Sequence, residues 1–261
     1  VIIVTGTGRS GTSAVARVLH ESGINMGRNF AGPGPHNATG YYEDLDVAAV
    51  NDKIYADCGL TPSNSLPARA LRRLQRLFGV NGRPPSDTYV TRAAVLKAAT
   101  RHTREMQDLV AQVPSPGGWK GTHMCWTLEA WLPLLPAKPQ IVLCLRTPDA
   151  VAGSALAYFG LTADDAREWA IELWSNQYQR LIEVIEEYQL DTITIEYDEL
   201  IANTAATIER LSRFVGQPLD LKYVEPVLRH HTAEVPERLA GLYERVKQLS
   251  KDAGPKVASA T

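Results

Sequence analysis

The opening twenty-two residues constrain the fold most. Val1-Ile2-Ile3-Val4 is an apolar run, Thr5-Gly6-Thr7-Gly8-Arg9-Ser10-Gly11-Thr12-Ser13 is a loop of mostly small residues, and Ala14 to Ser22 has helical spacing. A strand, a glycine-rich turn and a helix in that order wrap backbone N–H groups around an anion and aim a helix N-terminus at it. The spacing Gly6, Gly11, Ser13 follows the nucleoside-triphosphate pattern G-x-x-x-x-G-K-[ST], except that Thr12 stands where the lysine belongs. In an ATP or GTP site that lysine sits against the β and γ phosphates, where threonine offers only a short hydroxyl. The loop's cation is Arg9, on the crown rather than at the helix start. The expected ligand therefore presents a 5′-phosphate-like group without a triphosphate, held by Thr7, Gly8, Arg9, Ser10, Gly11, Thr12 and Ser13.

Three more strands are expected: a short one near Trp119–Lys120, then Gln140–Leu145 and Thr192–Ile195. The last two are apolar or β-branched without polar alternation, as strands of a parallel sheet buried on both faces are. Helices alternate with them. One is expected from about Asp164 to Tyr188, after a Thr162-x-x-Asp165 start signal, and another from about Asn203 to Val215, stopped by Gly216 and Pro218. The fold class is α/β, a P-loop-type parallel sheet flanked by helices. Residues 59–118 interrupt the alternation as a helical insertion expected to cover the site, with helices near Ala68–Phe78 and Ala93–Val113. Its basic residues, among them Arg69, Arg72, Arg73, Arg76, Lys97, Arg101 and Arg104, form either a solvated face or a positive cover. The whole of 1–261 reads as one domain with a flexible tail from Lys251.

In open parallel sheets ligands lie outside the carboxyl ends of the strands. That rule gathers Arg9 after the first strand, Lys120 and His123 after the second, Arg146 after the third, and Glu196 and Tyr197 after the fourth. Arg146 ends an apolar strand, and Ser154 follows on the next helix. A guanidinium and a hydroxyl so placed can hold one phosphate from two sides. A triphosphate enzyme would more often put a Mg²⁺-binding aspartate at a strand end, so an arginine there suggests a second phosphate apart from the first. Alternatively, Arg146 pairs structurally with Asp149.

These segments together carry a family resemblance. Gly8-Arg9-Ser10-Gly11-Thr12-Ser13, Lys120-Gly121-Thr122-His123, Arg146 with Ser154, and Ile195-Glu196-Tyr197-Asp198-Glu199-Leu200 followed by Phe214-Val215-Gly216 resemble sulfotransferases that use 3′-phosphoadenylyl sulfate (PAPS). The resemblance implies that the Arg9 loop holds the 5′-phosphosulfate, that Arg146 and Ser154 hold the 3′-phosphate, that Tyr197 lies near the adenine, and that no metal is needed. It further implies transfer of a sulfuryl group to a hydroxyl or amine of a small-molecule acceptor, releasing adenosine 3′,5′-bisphosphate. The chain departs from the pattern in having Arg9 where cytosolic members have lysine. Only Arg229-His230-His231 can stand in for their basic C-terminal segment.

Arg9, with Lys120 second, is the cation expected to stabilise charge on the bridging oxygen. Glu43 and His123 compete as the base that accepts the acceptor proton: the first resembles the carboxylate of some branches, the second the Lys-x-His arrangement of others. Alternatively, Glu43 caps the helix that follows and His123 packs beside Trp126. Tyr41, Tyr42 and Asn51 are candidates for the acceptor pocket or for packing, and Trp169 and Trp174 for the core. A Mg-ATP kinase and a non-catalytic nucleotide-binding module are the rivals. The first leaves Thr12 unexplained, and the second lacks a guanine-specific Asn-Lys-x-Asp segment. A net charge of −2 gives no basis for a nucleic-acid partner, and no apolar stretch of about 18 residues suggests a membrane span. The three cysteines have no metal-ligand spacing, so a reduced, cytoplasmic setting is expected. Acceptor identity and oligomeric state are not encoded in any motif.

Overall fold

A computed structural model of the protein describes residues 1–34, 37, 39–58, 90–159, 164–224 and 235–250. Its centre is a four-stranded, all-parallel sheet of β1 (Ile2–Thr5), β2 (Gly118–Lys120), β3 (Gln140–Leu145) and β4 (Asp191–Glu196), in the order β2-β1-β3-β4. The register sets Val4 opposite both Lys120 and Val142, and Leu145 opposite Glu196. The carboxyl ends therefore come out along one edge. There Thr5 Oγ1 donates to the Gly121 carbonyl (3.0 Å), tying the first two strand ends together.

The strands are almost wholly buried because helices cover both faces. On one face Ile3, Ile141, Leu143 and Leu145 pack with Trp131, Trp174, Tyr178 and Leu181. These come from α5 (Met124–Trp131) and α7 (Asp164–Glu187). On the other, Ile2, Val4, Val142, Cys144, Ile193 and Ile195 pack with Val15, Val18, Leu19, Ile208 and Leu211. Those belong to α1 (Thr12–Glu21) and α9 (Thr204–Val215). The period-2 alternation thus divides each strand between two buried layers. The order is completed by α2 (Leu45–Asp57), α3 (Arg92–Ala99), α4 (Thr103–Val110), α6 (Pro148–Phe159), α8 (Tyr197–Ala202) and α10 (Glu237–Gln248).

The helix expected over 93–113 is broken in two by a 3₁₀ turn at Thr100–His102. Its cause is local: the Thr100 hydroxyl donates to the Lys97 carbonyl (2.7 Å) and the Thr103 hydroxyl to the Thr100 carbonyl (3.1 Å), competing with the helical ladder. Helix α3 packs against α2 and α5, and α4 packs against α2, and neither lines the cavities at the strand ends. Lys97, Arg101 and Arg104 are exposed, and Arg101 pairs with Asp57 (3.2 Å). This part of the insertion is thus the solvated face and not a cover. The expected helix at Ala68–Phe78, the segment Arg229-His230-His231 and the tail from Lys251 lie outside the described residues. No described helix is long and apolar enough to cross a membrane.

Candidate active site

The loop after β1 is shaped by two close approaches. Gly6 (φ +145°) runs so near β3 that a Cβ would lie 2.3 Å from the Cys144 carbonyl oxygen. Gly11 (φ +93°) precedes α1, and a Cβ there would lie 2.4 Å from the Tyr197 ring. Only glycine satisfies both the dihedral and the space. Ser10 is fully buried and its hydroxyl donates to the Thr7 carbonyl (2.7 Å), so this side chain braces the turn and does not face a ligand. The first turn of α1 has no side-chain cap and no acidic residue. Its N–H groups and dipole therefore favour an anion.

Two cationic side chains flank this turn. Arg9 lies in the left-handed region (φ +71°), its Nε donates to Ser154 Oγ (2.9 Å), and its guanidinium stands 5.3 Å from the Tyr158 ring centroid. Arg146 is buried at the end of β3, lies 4.6 Å from the Tyr197 ring centroid, and donates from Nη1 to the Arg9 carbonyl (3.4 Å). The indole Nε1 of Trp174 donates to the Arg146 carbonyl (3.0 Å) and fixes the strand end from α7. Asp149, the structural partner weighed for Arg146, pairs with Arg167 instead (2.9 Å). Ser154 bonds Arg9 directly, and it lines the same cavity as Arg146.

That cavity, of about 110 Å³, is lined by Arg9, Gly11, Thr12, Ser13, Arg146, Ser154 and Tyr197, together with Asn37 and Thr39. Burial pushes the Tyr197 phenol above its ordinary pKa against the pull of Arg146, so the ring stays neutral beside the cation. A second cavity, of about 210 Å³, opens on the other side of the loop and includes Thr7, Gly8, Glu43, Lys120 and His123. Arg9, Thr12 and Ser13 line both. Among the described residues no group of three or more His, Cys, Asp or Glu side chains stands together as a metal site.

In the second cavity Lys120, buried at the end of β2, approaches the Glu43 carboxylate at 3.3 Å. Burial raises the Glu43 pKa, but the Lys120 and His123 charges and hydrogen bonds from Lys120 and the Thr122 backbone outweigh it, leaving the carboxyl below its ordinary value. The cap of α2 is Asp44, which accepts from the Asp46 amide (3.0 Å), so Glu43 is free of the capping role weighed for it. His123 packs edge-on against Tyr55 (4.7 Å) rather than beside Trp126, with Nε2 3.7 Å from Asp52 Oδ1. Burial raises the Asp52 pKa, which His123 opposes and Glu43 reinforces.

Tyr41 lines this cavity, whereas Tyr42 turns away to donate to Glu21 (2.8 Å). Asn51 is structural: its Oδ1 accepts from Thr127 Oγ1 (2.8 Å) and Trp131 Nε1 (3.0 Å). Trp169 and Trp174 belong to the core as expected, and they also form part of the cavity wall. Tyr55, Val151, Ala155, Tyr158, Leu173 and Gln177 complete the wall, and sequence reasoning did not single them out. A cavity-facing stripe has the same helical period as a core-facing one. Gln177, polar within an otherwise apolar stripe of α7, was the signal available.

The Sulfotransferase family sequence model matches residues 2–220, nearly the whole of this architecture. The chain belongs to the sulfotransferase family. No curated protein matches it in sequence. Among solved structures it is similar to the sulfotransferase domain of the Synechococcus PCC 7002 olefin synthase, at 14% identity over 97% of this chain and 89% of that one, with a TM-score of 0.51. The sulfotransferase domain from the curacin biosynthetic pathway aligns at 13% identity over 96% and 88% of the two chains (TM-score 0.46). Sulfotransferase STF1 of Mycobacterium tuberculosis aligns at 15% over 95% and 75% (TM-score 0.44). The first likeness establishes a shared α/β sulfotransferase fold.

Proposed function

We propose that this sulfotransferase takes its sulfuryl group from PAPS and passes it to a hydroxyl of a small-molecule acceptor. The observation that carries the reading is the pair of cavities meeting at Arg9, Thr12 and Ser13. The smaller suits a nucleotide with two separate anionic ends: Arg146 and Ser154 for a 3′-phosphate, the α1 N-terminus and Arg9 for the 5′-phosphosulfate, and Tyr197 beside the base. The sulfur then lies at the shared edge, facing the larger cavity.

The donor supplies an activated S–O bond. As that bond breaks, charge gathers on the bridging oxygen, where Arg9 and the N–H groups of α1 are already oriented. Lys120 is the second cation within the acceptor cavity. The new S–O bond forms to the acceptor oxygen and its proton passes to Glu43, ionised near neutrality because Lys120 and His123 hold its pKa down. Glu43 is favoured over His123 because its carboxylate stands beside Lys120, whereas His123 directs Nε2 toward Asp52 and has Nδ1 buried.

Calorimetry with adenosine 3′,5′-bisphosphate and with ATP tests the donor. The bisphosphate should bind without Mg²⁺ and more tightly than ATP. Tighter, Mg²⁺-dependent ATP binding would instead establish the kinase reading.

A further inference from the structure

The larger cavity has a chemical character that its catalytic edge does not require. Tyr41, Tyr55, Tyr158, Trp169, Trp174 and Leu173 are among its lining residues, so an acceptor here exchanges water for aromatic and aliphatic contacts. Lys97, Arg101 and Arg104 face solvent, and none of them lines the cavity. Its one lysine, Lys120, is already matched by Glu43 (3.3 Å). A carboxylated or sulfated acceptor would find no unmatched cation there beyond those facing the donor, and a sugar would lose hydration without enough polar partners.

One wall group departs from this pattern. Gln177 is 8% exposed, faces the cavity from α7, and its buried Oε1 accepts no hydrogen bond among the described residues. It stands one turn from Trp174, which lines the same cavity. A buried amide oxygen without a donor carries an uncompensated desolvation cost, and a leucine would fill this apolar wall without it. The amide borders the cavity while its oxygen is enclosed, so a ligand hydroxyl, which can both donate and accept, can bond the amide in either of its two orientations and explain its place.

Resting on the sulfotransfer reading above, we propose that the acceptor is an uncharged, flat, apolar alcohol or phenol carrying a second hydroxyl, which the Gln177 amide recognises. The first hydroxyl faces Glu43 and the shared loop, and the second hydrogen-bonds the Gln177 amide. Gln177 is thus a specificity residue and takes no part in the transfer of the proton.

The test is calorimetry on the full chain, with and without saturating adenosine 3′,5′-bisphosphate. The titrants are 2-naphthol, the 1,5-, 2,6- and 2,7-dihydroxynaphthalenes, 2-naphthoate and N-acetylglucosamine. The naphthols should bind, at least one diol about three- to tenfold more tightly than 2-naphthol, with 2-naphthoate and the sugar far weaker. Gln177→Leu should abolish the diol preference, leave 2-naphthol and bisphosphate affinity in place, and keep or raise the melting temperature. A merely structural glutamine would instead lower the melting temperature and leave the preference intact. Preference for the naphthoate or the sugar, no saturable naphthol binding, or an unchanged diol preference in Gln177→Leu would overturn the proposal. Bisphosphate binding is read in the same titrations: its loss sinks the donor reading, while its presence without naphthol binding sinks only the acceptor assignment.

Discussion

At the residue scale the site is governed by three cations whose partners differ, and so should the consequences of losing them. Arg146 packs against Tyr197 and touches the loop backbone. Arg146→Ala should weaken bisphosphate binding strongly, and Arg146→Lys should not restore it, because an ammonium lacks the planar fork that stacks and donates in two directions. Titration calorimetry of the three proteins checks this. Arg9 stands where the cavities meet, so Arg9→Ala should lower turnover by about 10²–10³ through loss of one preorganised donor. Near-normal turnover with donor affinity intact would remove Arg9 from the chemistry. Lys120 acts on Glu43 as well. It helps hold the Glu43 pKa below the ordinary carboxylate value while burial pushes it up. Lys120→Met should therefore move the acidic limb of the kcat/KM profile to higher pH, whatever it does to the rate. Glu43→Gln should erase that limb, whereas a limb retained in Glu43→Gln and lost in His123→Ala would make His123 the base.

At the scale of elements, the loop after β1 offers a comparison between neighbouring glycines. A Cβ at Gly8 meets nothing within 4 Å, whereas one at Gly11 would have to occupy the Tyr197 ring position from a φ of +93°. Gly8→Ala should leave bisphosphate affinity and melting temperature close to the parent's, and Gly11→Ala should weaken binding by displacing Tyr197 or reshaping the turn. Equal affinities would mean that the Tyr197 contact does not shape the smaller cavity. This loop, the sheet and the strand-end residues Arg146 and Lys120 were legible in the sequence, because a strand buried on both faces, a glycine-rich turn and a charge ending an apolar run each leave a local pattern. The walls of the larger cavity were not. Trp169 and Trp174 repeat at the period of a core stripe, and nothing in that period separates packing against a sheet from lining a void. The break at Thr100–His102 was hidden for another reason: threonines that bond back to their own helix carry a propensity little different from other helix residues. Asp44 was likewise obscured by Glu43 beside it, two acids of which only the structure shows one capping and the other turned to Lys120.

For the whole molecule, the cavity wall depends on how α7 is clamped to the helices beside it. The clamp is Glu129 of α5, buried and bonded by Arg180 of α7, by Arg92 of α3 (Nε, 2.9 Å) and by the Tyr188 hydroxyl (2.9 Å). Arg92 also reaches Glu187 (2.7 Å), so one carboxylate joins three segments of chain. Burial alone would raise the Glu129 pKa, but the hydrogen bonds from Arg92, Tyr188 and Arg180 and the Arg180 charge bring it below the ordinary value. A carboxyl whose folded pKa is depressed stabilises the protein above its unfolded pKa, about 4.3 for glutamate, and loses that contribution as pH falls through the folded value. Glu129→Gln leaves Arg180 buried opposite a neutral amide, which should cost about 3–5 kcal/mol at pH 7. Because protonation weakens the same partners in the parent, the gap between parent and variant should narrow as pH is lowered from 5 through about 4 and below. Urea unfolding of both proteins at a series of pH values measures it directly. A gap of the predicted size at pH 7 that closes in acid would identify this carboxylate as the clamp between α5 and α7, and parallel curves down to acid would assign the stability to packing around it instead.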